Sequence, residues 1–207
     1  MHLKNDYRIE SYCHIKEGHV SLNSGVIYKN ASPEFSGFIK SAYQHFEIKY
    51  SKFFKMDNLS KLAFMAAEVL MQSKFVAKNE NTAIVLSNRA SSLDTDRKHQ
   101  ESIADNTNFY PSPAVFVYTL PNICIGEISI RHKLLSENSF FIFDAFNAAY
   151  LKDYSTGLLN TKKAEKVLCG WVDYDDDNYE AFLYIVSNTG SRSNKQEEIT
   201  RLYNHKN

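Results

Sequence analysis

Three cysteines and seven histidines are the residues best suited to nucleophilic or general-base chemistry, because a paired imidazole can turn a thiol into a thiolate. Cys124 and His132 fall on one expected helix, but eight residues at a rise of about 1.5 Å leave them roughly 12 Å apart, beyond proton transfer. Cys13 and His14 are neighbours on an expected strand and therefore point to opposite faces. Neither pair is a local catalytic unit. The three thiols cannot pair off completely as disulfides and do not fall at zinc-site spacings, so Cys13, Cys124 and Cys169 read as reduced thiols, the last two as small core residues. A second candidate is acidic. Asp173, Asp175 and Asp177 occupy the first, third and fifth places of an EF-hand-like loop, but the sixth place is Asn178 rather than Gly and the twelfth is Tyr184 rather than Glu. With the bidentate ligand missing, the expectation is a solvated hairpin turn and no metal. Phosphate-binding signatures are missing as well, with no Gly-x-Gly-x-x-Gly and no Gly-Lys-Ser or Gly-Lys-Thr, so no nucleotide cofactor is expected by those routes.

The elements that must position such residues belong to a chain of 207 residues, 43% hydrophobic, long enough to bury a substantial core. Its 24 basic and 24 acidic residues balance and are scattered, which removes the clustered positive charge that nucleic acid or an anionic membrane surface rewards. No run of about 18 apolar residues and no apolar leader occur, so a cytoplasmic protein is expected.

Tyr7 to Tyr28, punctuated by Gly18 and Asn23-Ser24-Gly25, reads as two or three short strands. From Asp57 the apolar residues Leu59, Leu62, Ala63, Ala66, Val69 and Leu70 fall at helical spacing, with Asp57 or Asn58 placed to cap. Thr82 to Ser87 is short, β-branched and apolar, as a strand buried on both faces should be, and a polar loop is expected after it, from Asn88 to about Asp96. Asn122 to Arg131 reads as a helix, Ser139 to Phe143 as the most buried strand, and Phe146 to Leu159 as a helix. Lys166 to Asp173 and Tyr179 to Ser187 read as an antiparallel pair joined by the turn Asp175 to Asn178. Beyond Asn188 the chain turns polar, as a frayed tail or a short surface helix would. This alternation implies one α/β domain over 1–190 with a polar tail over 191–207.

The order of these segments resembles the N-terminal half of the β-ketoacyl synthases, condensing enzymes with the thiolase fold. Phe54 to Ala63 with Ala66-Ala67-Glu68 is similar to that family's first long helix, and Ala83 to Leu86 to the strand before its substrate-side loop. Thr119-Leu120-Pro121-Asn122-Ile123 with Gly126-Glu127-Ile128 looks like its proline-asparagine helix. Val167 to Asp173 looks like the strand after its catalytic helix. The resemblance spans about residues 50 to 190. It implies a thiolase-like half with a mixed five-stranded sheet and helices packed on it, and a nucleophilic cysteine at the junction after Ser139 to Phe143. The junction here reads Phe143-Asp144-Ala145-Phe146-Asn147-Ala148, which puts Ala145 at the nucleophile position, and a methyl group cannot be acylated. Asp144 would suit a helix cap.

The family's decarboxylating histidines belong to a second half that this sequence does not contain. The expectation is therefore a non-catalytic partner subunit in fatty acid, polyketide or polyene synthesis. It would form a homodimer or a heterodimer with a full-length ketosynthase through the strand Ser139 to Phe143, with an acyl carrier protein as a further partner. Two alternatives stand beside it. One is half of a condensing site completed by another chain. The other is an acyl-binding module in which Phe140, Phe141, Phe143 and Phe146 line a pocket or an interface. The sheet face that the absent half would bury is expected to be covered by the N-terminal strands or by a partner.

Overall fold

β-Branched and aromatic runs broken by tight turns build an N-terminal meander of β1 (Arg8–Lys16), β2 (His19–Leu22) and β3 (Gly25–Lys29). The computed structural model describes residues 6–30, 32, 34–73, 81–105, 107 and 109–205. Beyond the meander come α1 (Phe35–His45), α2 (Asn58–Ser73), β4 (Thr82–Asn88), α3 (Leu93–Ile103), α4 (Pro113–Val117), α5 (Ile123–His132) and β5 (Asn138–Ile142). The chain continues through α6 (Ala148–Asn160), β6 (Lys166–Asp175), β7 (Asn178–Ser187), β8 (Arg192–Ser193) and α7 (Gln196–Tyr203).

All the described strands join one mixed sheet in the order β3-β2-β1-β7-β6-β4-β5, with β8 on β1. β4 runs parallel to β5 and β6, and the other pairs are antiparallel. The sheet thus has eight strands, not the five expected. The difference lies in the meander: β1 zips along β7 from Arg8↔Ser187 to Lys16↔Glu180 and extends the sheet rather than covering a face of it. Helices cover both faces instead. Ile84, Leu86, Leu168, Leu183 and Ile185 face α2 and α5, whereas Ala83, Val85, Val167, Phe182 and Val186 face α6 and α7. Strict alternation along β4 delivers both sets, which is why its sequence reads as a continuous apolar run.

α2 is the most deeply buried helix; Leu59 to Leu70 are buried almost without a break. Its first turn is capped by Asp57, whose Oδ1 accepts the Ser60 N–H at 3.0 Å. At its middle, the buried Glu68 takes Arg131 Nε at 2.7 Å and lies 3.0 Å from His132 Nε2, tying α2 to α5. The β6–β7 hairpin turns through Asp176 and Asp177 at φ 49° and 59°, the paired left-handed conformation that a two-residue hairpin turn requires. Gly170 in β6 is needed for a different reason: a Cβ there would stand 2.1 Å from the Phe182 carbonyl oxygen.

Two further expectations are corrected. Ser139 to Phe143 does not form the most buried strand: among the described residues β5 pairs only with β4, ends the sheet, and leaves Asn138 and Ile142 exposed with the residues between them half-buried. Apolar composition there reflects an uncovered edge. The stretch from Asn88 to Asp96 is not all loop, since α3 begins at Leu93. In the polar C-terminal segment the helix α7 forms, and its Ile199 and Leu202 are fully buried beneath α6 and the sheet.

Candidate functional site

β5 and β6 flank β4 on opposite sides, and the connection between them crosses the sheet through α6. The carboxyl ends of β4, β5 and β6 therefore meet at a reversal of strand order, where open α/β sheets form their binding crevice. A cleft of about 520 Å³ lies there, lined by Arg89 just past β4, Asp144, Ala145 and Phe146 just past β5, and Trp171 and Asp173 of β6. Tyr179, Glu180 and Tyr203 close its far side.

Ala145 is exposed on this cleft. The junction after β5 is held by Phe143, whose N–H bonds the Asn88 carbonyl at 2.9 Å, and by Asn147, whose side chain caps α6 by accepting the Tyr150 N–H at 3.0 Å. Asn147, not Asp144, is thus the cap, and Asp144 is exposed. An amide oxygen at that position leaves the junction with one fewer charge on the cap.

The four phenylalanines divide among different surroundings. Phe140 packs on the α2 side of the sheet. Phe141 and Phe143 stack at 6.0 Å and meet Tyr150 edge to face, with Tyr154 beside Phe141 at 5.1 Å, forming an aromatic cluster on the edge strand. Phe146 turns away, stacks on Tyr203 at 4.2 Å and, alone of the four, lines the cleft.

The acidic candidates are engaged by partners within the chain. Asp173 accepts the N–H groups of Arg89 and Ala90 at 3.1 and 2.9 Å, Asp175 pairs with Arg97, and Asp177 accepts the Tyr174 hydroxyl at 2.9 Å. Asp173 thus ties the end of β4 to β6, Asp175 ties β6 to α3, and Asp177 bonds within the β6–β7 hairpin. The thiols are all buried: Cys13 among the α2-side core, Cys169 on the opposite side, Cys124 in α5. Burial raises each of them, Cys169 to about 12, so none is a thiolate at neutral pH. Trp171, Arg89 and Tyr203 were not legible as site residues, since they come from three distant segments; the only sequence signal was the alternation of strands that creates the crevice.

No family model and no curated protein matches the sequence. Solved structures do. An ishigamide ketosynthase/chain length factor structure aligns with 90% of this chain at a TM-score of 0.64 and 15% identity. The chain has the ketosynthase fold. It also aligns over 90% of its length, at TM-score 0.61 and 12% identity, with a structure of a ketosynthase in complex with its chain length factor from Xenorhabdus doucetiae. A β-ketoacyl synthase from Burkholderia phymatum aligns with 88% of it at TM-score 0.59 and 9% identity. The chain spans 64% of the ishigamide chain, 80% of the Xenorhabdus one and 59% of the Burkholderia one. The expected thiolase-like fold and mixed α/β architecture are thus those of the molecule.

Proposed function

We propose that this chain is a non-catalytic ketosynthase-like subunit that pairs, through the free edge of β5, with a ketosynthase in fatty acid, polyketide or polyene synthesis. The reading rests on Ala145, a methyl group at the carboxyl end of β5 in the crevice of a ketosynthase fold. A ketosynthase bound to its chain length factor is among the structures of similar fold, which supports a paired arrangement. Among the described residues the outer edge of β5 has no strand partner, and it lies beside the aromatic cluster of Phe141, Phe143, Tyr150 and Tyr154, a surface that another strand and its rings would cover. An acyl carrier protein would then dock on the pair rather than on this chain alone.

Intact-mass measurement after incubation with an acyl-carrier thioester, with and without a co-expressed ketosynthase, tests the proposal. Expected are no acyl adduct on this chain, and co-elution with the ketosynthase. An adduct on this chain at any residue, or elution apart from every ketosynthase of the source organism, would overturn it.

A further inference from the structure

The charged side chains that line the cleft at the carboxyl ends of β4, β5 and β6 do not balance: Lys16 and Arg89 stand against Glu17, Asp144, Asp173, Asp177 and Glu180. Both cations already face a carboxylate. Lys16 Nζ lies 3.2 Å from Glu180 Oε1, and Arg89 Nε lies 3.7 Å from Asp173 Oδ2. Asp177 accepts the Tyr174 hydroxyl at 2.9 Å. Glu17 and Asp144 differ from these: both are exposed, and neither carboxylate has a hydrogen-bond or ion-pair partner among the described residues. Uncompensated negative charges on a concave wall focus a field that favours a positive ligand.

The wall beside Asp144 is aromatic. Phe146 stacks on Tyr203 with ring centroids 4.2 Å apart, and Trp171 stands edge-on to Phe146 at 6.3 Å and 81°. Rings in two nearly perpendicular planes thus border one cleft. Ring faces attract a cation within about 6 Å of their centroids, more strongly once it is desolvated. A metal cation needs convergent ligand atoms, and among the described residues no group of His, Cys, Asp or Glu side chains is placed to hold one. An alkylated ammonium needs no such cage, because its methyl groups bury against the rings while its charge answers the carboxylates. The volume of about 520 Å³ is that of a small-molecule site.

We propose that this cleft binds a small organic ammonium ion, its alkylated nitrogen set against Phe146, Trp171 and Tyr203 and its charge balanced by Asp144 and Glu17. Binding of this kind requires no strand partner at β5, so it stands apart from the pairing with a ketosynthase, and neither outcome decides the other.

Choline is the probe, with dimethylbutanol, its uncharged isostere with carbon in place of nitrogen, as the comparison. Calorimetry on the full chain measures binding, and emission from Trp171, the single tryptophan of the sequence, locates it. Expected are a Kd of about 1 mM for choline, a change in Trp171 emission that saturates with the same constant, and binding of the isostere at least about tenfold weaker. Asp144→Asn and Glu17→Gln should each weaken choline binding about threefold, and added salt should weaken it in the wild type. Phe146→Leu, which removes a ring and keeps an apolar side chain, should weaken it about tenfold. Circular dichroism checks the fold of each variant. If Phe146→Leu unfolds the chain, the isostere and the two exposed carboxylate variants still decide. No saturable binding of choline, equal binding of the isostere, heat without a change in Trp171 emission, or an unchanged Kd when Asp144→Asn and Glu17→Gln are combined would each overturn the proposal.

Discussion

Asp57 and Glu68 sit at opposite electrostatic extremes of α2. For Asp57, burial dominates and raises the carboxyl, against hydrogen bonds from Ser60 and Thr95. A carboxyl raised on folding loses stability as pH climbs from its unfolded value through its folded one, because only the unfolded chain ionises freely in that window. Asp57→Asn keeps the cap, since asparagine and aspartate cap about equally well. The variant should match or exceed the wild type in melting temperature at pH 7 and lose that advantage in acid.

Glu68 is shifted the other way. Burial works to raise it, but hydrogen bonds from His132 and Arg131 prevail and lower it. Its contribution is present above the ordinary carboxylate range and is lost as pH falls through the depressed folded value. Glu68→Gln should cost about 3 kcal/mol at pH 7 in urea unfolding, since it leaves Arg131 without its buried partner. The gap from wild type should close at low pH. Gly170→Ala should be at least as costly, about 3 kcal/mol or more, because the added methyl meets backbone rather than a movable side chain.

Among the elements, β5 offers the sharpest test. Ile84 N–H bonds the Glu137 carbonyl and Phe143 N–H bonds the Asn88 carbonyl, so the odd-numbered residues of this segment face β4. Backbone groups alternate along a strand, which leaves Phe140 and Ile142 with N–H groups aimed at the open edge. Ile142→Pro removes one outward donor and no bond to β4. The variant should melt within a few degrees of the wild type yet weaken association with a strand-pairing partner at least about tenfold, one lost hydrogen bond amounting to about 1.4 kcal/mol. Sedimentation velocity on the mixed subunits would measure it.

Elements whose apolar pattern is strong were legible from the residues alone: α2 by its spacing, β4 by its unbroken run, and the β6–β7 hairpin by its acidic turn. α3 was not, because only Thr95 of its eleven residues is buried and no apolar stripe marks it. β5 was recognised as a strand but misjudged in burial, since a run of phenylalanines looks the same at the centre of a sheet and at an edge awaiting cover. The position of Ala145 came through the likeness to the condensing enzymes, whereas the cleft around it is assembled by long-range packing of β1, β6 and α7 that local periodicity does not encode.

At the scale of the whole molecule, the sheet has two unlike ends. One is β5, short and rimmed by aromatic rings. The other is β3, which is exposed along most of its length, pairs with β2 through a register shift between Val20 and Ser21, and ends in Lys29. A bulge and a lysine make a strand edge a poor template for another chain. Pairing is therefore favoured at one end only. Subunits that join end to unlike end would polymerise without limit, whereas subunits that join at like ends close after a single step. Light scattering of concentrated protein should accordingly rise to a plateau set by pairs. A Lys29→Val substitution, by making the second end receptive, should convert that plateau into continuing growth.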